Sequence, residues 1–272
     1  MKSAARDTSA RALPESCPAV LAHRGACTLA PENTLAAFEA ARALGCRGVE
    51  LDVHLTADGY LVVTHDHWLD RVAGLHRRVE EMTLAEIRDV DAGSFFDALR
   101  PGAAKRSFAG EGIPTLDEAL DAIGDDAFVD LELKLDTVFP RPLAEAAAKC
   151  LERRGRTNAI VSSFNPLAIL AYRAHGPHAT AAIYCPYPSV PFYMRHRECL
   201  RLSRAEIKKP AREHVLERAR AETGREPVIA WTVDSMDEAR EMLSGGVRAV
   251  VTNRIQDVPA DLRDYIPRSS FR

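Results

Sequence analysis

The sequence predicts an α/β fold, a (β/α)8 TIM barrel with a small insertion after the second strand region, on three observations. Short β-rich runs alternate with helical patterns along most of the 272 residues, in about eight pairs. Alternating units of this kind imply a mostly parallel sheet, and eight of them imply closure into a barrel. Polar residues stand at every second position inside two of the strands, where a sheet covered on both faces would be apolar. No G-x-G-x-x-G follows the first strand, which weakens the dinucleotide-binding version of a competing open sheet.

Taken in order, residues 1–16 are polar and aperiodic and read as a flexible N-terminal tail. The first strand is expected from Cys17 to His23 and a helix from Thr34 to Leu44, with Pro31 and the capping residue Asn33 ahead of it. Arg47 to His54 and Tyr60 to Thr64 are further strands, parted by the Asp58-Gly59 turn. The irregular stretch of about 69–114 is read as the insertion, within a single barrel domain spanning 17–266. Beyond it the pattern predicts helix Leu116 to Ile123, strand Phe128 to Leu135, helix Leu143 to Arg153 and strand Ala159 to Ser163. Helix Pro166 to His175 and strand Thr180 to Tyr184 follow. A short strand near Leu200 to Leu202 comes after the proline-rich break, then helix Ala211 to Thr223, strand Val228 to Val233, helix Met236 to Leu243 and strand Ala249 to Thr252.

Net charge is -3, so no global basic field recruits nucleic acid or an anionic membrane, and an anionic ligand must be held by local charge. The six cysteines show no CxxC spacing, a pattern of free thiols in a reducing compartment. Lys2, Arg6 and Arg11 precede no apolar run of a signal peptide, and no stretch approaches the length of a membrane span. A cytoplasmic protein with no membrane anchor is the expectation.

The period of two puts Glu50, Asp52 and His54 on one face of their strand, opposite Val49, Leu51 and Val53. Asp130, Glu132 and Lys134 share a face in the same way. Carboxylates gathered in a barrel repel one another unless paired. Oxygen ligands suit a hard cation such as Mg²⁺ or Ca²⁺. The alternative is a buried ion-pair network with Lys134, Arg24 or Arg47. His23 and His65 end their strands, the place from which barrels draw catalytic groups, and two histidines there can act as general base and general acid. Arg24 and Lys134 offer fixed positive charge, either for a phosphate or only to neutralise the carboxylates.

His23-Arg24-Gly25, Pro31-Glu32-Asn33-Thr34, Glu50-Leu51-Asp52-Val53, Asp58-Gly59 and His65-Asp66 together resemble the glycerophosphodiester phosphodiesterase family. Glu132-Leu133-Lys134, Ser163-Phe164, Trp231-Thr232-Val233 and Thr252-Asn253 follow in that family's order, so the likeness spans roughly residues 19 to 258. The resemblance implies metal ligands at Glu50, Asp52 and Glu132 and a catalytic pair at His23 and His65. It further implies phosphate binding by Arg24 and Lys134, a supporting role for Glu32 beside the metal, and Trp231 lining the pocket near the substrate alcohol. Two departures stand out. The family's Thr-Asp pair reads Thr252-Asn253, and a His-Pro pair is missing from the expected sixth strand, Leu200-Arg201-Leu202-Ser203.

The expected activity is therefore metal-dependent hydrolysis of small glycerophosphodiesters to an alcohol and glycerol 3-phosphate. Two rivals stand beside it. One is a lysophospholipase D-like enzyme, for which Phe95-Phe96 and Tyr187 to Tyr193 are the apolar candidates. The other is a non-catalytic phosphate- or metal-binding barrel.

Overall fold

The computed structural model describes residues 11–99, 107–135, 139–188, 190–195, 198–216, 226–263 and 265. Eight parallel strands form the barrel: β1 (Val20–His23), β2 (Gly48–Leu55), β4 (Phe128–Leu133), β5 (Ala159–Ser163), β6 (Thr180–Tyr184), β7 (Ile207–Pro210), β8 (Ile229–Ala230) and β9 (Ala249–Thr252). Hydrogen bonding runs β7-β6-β5-β4-β2-β1-β9-β8. Parallel bridges from Lys208 to Val228 and from Ala211 to Trp231 bring β7 against β8 and nearly close the ring.

The ninth strand, β3 (Leu61–Val63), pairs antiparallel with β2 and lies outside the ring. The expected 60–64 strand is thus a hairpin arm, which the Asp58-Gly59 turn foreshadowed; Gly59 takes φ +86°, where a side chain would be strained. Between β3 and β4 the chain forms short helices Asp70–Ala73, Leu84–Arg88 and Ala92–Leu99. Val62, Leu69, Val79, Met82, Ile87, Val90 and Ile113 give this excursion a small apolar core of its own.

One expectation is corrected. The segment around Leu200 to Leu202 is helical, within Glu198–Ser203, and the sixth barrel strand is Ile207–Pro210. Its Lys208-Lys209 pair disguises a buried strand as a surface turn. In the N-terminal tail, Arg11 donates to the carbonyls of Arg173 (2.6 Å) and Gly176 (2.9 Å), and Leu13 packs under the barrel. Residues 1–10 of that tail, and 217–223 of the helix expected from Ala211, lie outside the described residues.

Inside the ring, the floor is apolar: Leu21, Phe128, Ile160, Ala181, Ile207, Ile229, Ala249 and Val251 form one cluster. Two residues further along the same faces come His23, Asp130, Ser162, Lys209, Trp231 and Asn253. The barrel interior therefore turns from apolar to polar toward the strands' C-terminal ends, where barrel sites are built. The larger core lies outside the ring, where Val49, Leu51, Val53, Val129 and Leu131 meet helix residues such as Phe38, Leu120 and Leu151. All six cysteines are free thiols. Among the described residues, no helix is long and apolar enough to cross a membrane.

Candidate active site

Parallel pairing of β2 with β4 sets Glu50 beside Asp130 and Asp52 beside Glu132. The strand register alone thus gathers four carboxylates. Ligand oxygens of Glu50, Asp52 and Glu132 all lie within 4.8 Å of one another, and all three residues are buried. Three cations face the four acids. Arg24 Nε stands 3.2 Å from Asp52, Lys134 Nζ lies 2.9 Å from Glu132 and 3.5 Å from Asp52, and Lys209 Nζ lies 2.9 Å from Asp130 and 3.6 Å from Glu50. The expected ion-pair network with Arg24 and Lys134 is present, whereas Arg47 is exposed and outside it.

The network does not satisfy every oxygen. Glu50 Oε2 and Asp52 Oδ1 are buried without a hydrogen-bond partner. Burial first, and Asp52 next, push the Glu50 carboxyl well above the usual range. Burial would raise Asp52 as well, but the charges of Lys134 and Arg24 outweigh it and hold that carboxyl low. Orphaned oxygens on two of three converging carboxylates fit a divalent cation with oxygen preference.

The loop after β1 delivers Arg24. Arg24 and Gly25 both take left-handed backbone, φ 55° and 78°, and a Cβ on Gly25 would stand 2.7 Å from the backbone of Ala37. Only glycine lets the loop lie this close to helix Leu35–Ala43, while Arg24 bears the strain of a non-glycine residue there. Asn33 Nδ2 donates to Asp52 at 2.9 Å, tying the far end of the loop to β2. Glu32 is not among the converging carboxylates. It receives Arg24 at 2.8 Å and two hydrogen bonds from Arg71, and so reaches the acids only through Arg24.

The histidines have different partners. His23 Nδ1 lies 2.6 Å from Asn253 Oδ1, and Asn253 Nδ2 donates to Asp234 at 2.9 Å. The amide is thereby oriented with its oxygen toward the ring, so Nδ1 carries the proton and Nε2, 3.7 Å from Glu50, does not. Burial first and Arg24 second push His23 down to about 4. His65 Nδ1 instead faces Asp66 Oδ1 at 2.5 Å, and Arg71 holds the other Asp66 oxygen at 2.6 Å. A cleft of about 510 Å³ brings His65 together with Asp66, Trp68, Glu132, Lys134 and Phe164. Trp231 stands edge-on to Phe164, ring centres 5.5 Å apart, with its Nε1 donating to Lys209 O at 2.9 Å.

Sequence reasoning missed Lys209, 2 % exposed and bound also to Ser162 Oγ at 3.1 Å. Its signal was the alternation Ile207–Lys209 with Pro210 behind, legible only once the strand is placed correctly. His54, grouped by periodicity with Glu50 and Asp52, turns instead toward Glu80.

The chain is similar to known proteins along most of its length. The sequence model described as the Glycerophosphoryl diester phosphodiesterase family matches residues 23–257. A glycerophosphodiester phosphodiesterase of Caldanaerobacter subterraneus subsp. tengcongensis is 34 % identical over 239 residues, covering 86 % of this chain and 93 % of that one. An Oleispira antarctica phosphodiesterase, solved in complex with the product sn-glycerol-3-phosphate, superposes with TM-score 0.72 at 27 % identity over 88 % of this chain and 94 % of that one. A Silicibacter pomeroyi structure described as a putative glycerophosphoryl diester phosphodiesterase gives TM-score 0.72 at 29 % identity, covering 87 % and 90 %. The chain belongs to the glycerophosphoryl diester phosphodiesterase family and is a phosphoric diester hydrolase of that kind.

Proposed function

We propose that the chain hydrolyses small glycerophosphodiesters to an alcohol and sn-glycerol 3-phosphate, with a divalent cation held by Glu50, Asp52 and Glu132. The observation that carries this is the pair of orphaned carboxylate oxygens beside two cations and two histidines. Mg²⁺ or Ca²⁺, when bound there, supplies Lewis-acid polarisation of a phosphoryl oxygen. Arg24 and Lys134 bind the phosphate as fixed positive charges that need no reorganisation as charge develops. The product seen in the Oleispira antarctica structure supports glycerol 3-phosphate as the leaving product here.

Acid and base are assigned by what each histidine leans on. His23 rests on the neutral amide of Asn253, which fixes its tautomer, while burial and Arg24 keep the ring uncharged, so Nε2 accepts the proton of the nucleophile. His65 rests on the Asp66 carboxylate, which holds the ring at the edge of the cleft, where it delivers a proton to the departing alcohol. The nucleophile is water or the neighbouring glycerol hydroxyl; in the latter route a cyclic phosphate precedes glycerol 3-phosphate. Trp231, through Phe164, shapes the side of the cleft that takes the alcohol.

Phe95, Phe96 and Leu99 line a separate hollow of about 140 Å³ near Glu32 and Arg71, much smaller than the cleft. That favours a small alcohol over the acyl chain of a lysophospholipid. The test is release of glycerol 3-phosphate from glycerophosphocholine and glycerophosphoethanolamine with Mg²⁺, with Ca²⁺ and with chelator. Metal-dependent release is expected. Release only from lysophospholipids moves the substrate class, and metal binding without any release leaves a binding barrel.

A further inference from the structure

A second group of metal-competent side chains lies outside the carboxylate site, made of His54, His67 and Glu80, whose ligand atoms all fall within 4.8 Å of one another. They come from three separate pieces of chain: β2, the segment after β3, and the short 3-10 turn Val79–Glu81. His54 Nδ1 lies 2.8 Å from Glu80 Oε1, and His67 Nδ1 contacts the same oxygen. The two imidazole rings meet edge to face with centres 4.8 Å apart.

The outer partners set the chemistry. His54 Nε2 lies 3.2 Å from the carbonyl oxygen of His65, and a carbonyl only accepts, so Nε2 carries a proton. The opposite ring nitrogen, Nδ1, is turned to the carboxylate oxygen Glu80 Oε1. A ring nitrogen and a carboxylate oxygen this close are held together by a positive species between them, a proton or a metal ion. Arg78 Nε approaches the other oxygen, Glu80 Oε2, at 3.1 Å, and so leaves Oε1 to the imidazoles. A ring nitrogen donated to a backbone carbonyl, with the opposite nitrogen turned to the ligand position, is how metal-binding histidines are oriented.

We propose that His54, His67 and Glu80 bind a first-row transition-metal dication, with Zn²⁺ the representative ion, at a site separate from the carboxylate centre. Two imidazoles and one carboxylate suit such an ion, whereas Mg²⁺ and Ca²⁺ prefer all-oxygen shells. The site is anchored at one end and open at the other. The side chain of His54 is fully buried, while those of His67 and Glu80 are 24 % and 28 % exposed, so water can complete a four-coordinate shell. Metal bonds near 2.0–2.1 Å place tetrahedral ligands about 3.3 Å apart. Glu80 therefore retreats by about half an ångström on loading, a movement its exposed position allows. Because His54 holds the carbonyl of His65 and His67 lies two residues beyond it, the bound ion braces the His65-Asp66 turn between the barrel and the excursion.

The experiment reads metal binding, independently of turnover and of the proposed hydrolysis. The full chain, stripped with chelator, is titrated with Zn²⁺ in excess Mg²⁺ against a chromophoric competitor, with thermal melting in parallel. One equivalent of tightly held Zn²⁺ and a raised Tm are expected. Loss of an outer partner alone costs about 10–100-fold in affinity, so His67→Ala and Glu80→Gln should weaken binding at least about 100-fold. Glu50→Gln should leave it within about twofold of the wild type, since Glu50 belongs to the other centre. No retained Zn²⁺ in the wild type, or equal retention in Glu80→Gln, overturns the proposal. Glu80→Gln keeps shape and hydrogen bonding and decides the matter even where His67→Ala folds poorly.

Discussion

Lys209 illustrates how much a single side chain can hold. Its ammonium is buried between Asp130 and Glu50, and their charges raise its proton affinity although burial opposes it. Removing one member of such a group strands the others. Lys209→Met should cost about 3–5 kcal/mol in a urea unfolding series, while adding Asp130→Asn to it should recover part of that loss. An additive double variant would show that the ammonium does not pair with Asp130. The histidines answer to a different measurement, because the role proposed for them lies in the reaction and not in the fold. His23→Ala and His65→Ala should each lower kcat by about 10²–10⁴-fold with KM changed only a few-fold. Equal losses in kcat and in substrate affinity would mean that the rings bind substrate and move no proton.

At the level of elements, what could be read in advance was whatever repeats with the period of the structure. Alternation in β2 and β4 announced Glu50, Asp52, Asp130 and Glu132 on inward faces, and their register in the parallel pair then made them one cluster. Alternation alone could not tell how far that inward face stays within the ring. His54, at the end of β2, leaves the ring and pairs with the excursion. β7 was illegible for a related reason: four residues, two of them lysines, carry too little apolar pattern, and only barrel closure shows that Lys209 points in and Lys208 reaches Glu226. The excursion's hold on the site runs through Arg71, in helix Asp70–Ala73, which joins Asp66 to Glu32. Burial would raise the Asp66 carboxyl, but hydrogen bonds from His65 and Arg71 outweigh it and keep it low. Glu32 is lowered in the same way, with Arg71 and Arg24 outweighing burial. A carboxyl depressed in the folded state adds stability above its unfolded value and loses it as pH falls through the folded one. Arg71 is half exposed, so solvent screening limits the effect of Arg71→Ala to about 1 kcal/mol at neutral pH. That gap should narrow as pH drops below about 4, the ordinary carboxyl range. A gap unchanged down to pH 3 in denaturant titrations would place the contribution in packing instead.

For the molecule as a whole, the charge is arranged to matter locally. The chain carries a net charge of only -3, yet its barrel mouth concentrates four carboxylates against three cations. Counted formally, this cluster is one negative charge in excess without a metal, and Glu50 Oε2 and Asp52 Oδ1 lack hydrogen-bond partners; a dication held there would make it net positive and ready for a phosphodiester anion. The proposed metal ligands come from β2 and β4, which are hydrogen-bonded to each other from Gly48 to Val53 and from Phe128 to Leu133, so an ion bound there would stabilise the folded ring and has no comparable site in the unfolded chain. Binding to the folded state alone adds about 2.7 kcal/mol when free metal exceeds its Kd about 100-fold. In a domain of this size each kcal/mol moves Tm by about 2–4 °C, so chelator-stripped protein should melt roughly 5–10 °C higher once Mg²⁺ or Ca²⁺ is restored. Glu50→Gln or Asp52→Asn should abolish that shift, and Glu80→Gln should not. A shift that survives both carboxylate variants would show that the ion stabilises the protein from somewhere other than the mouth of the barrel.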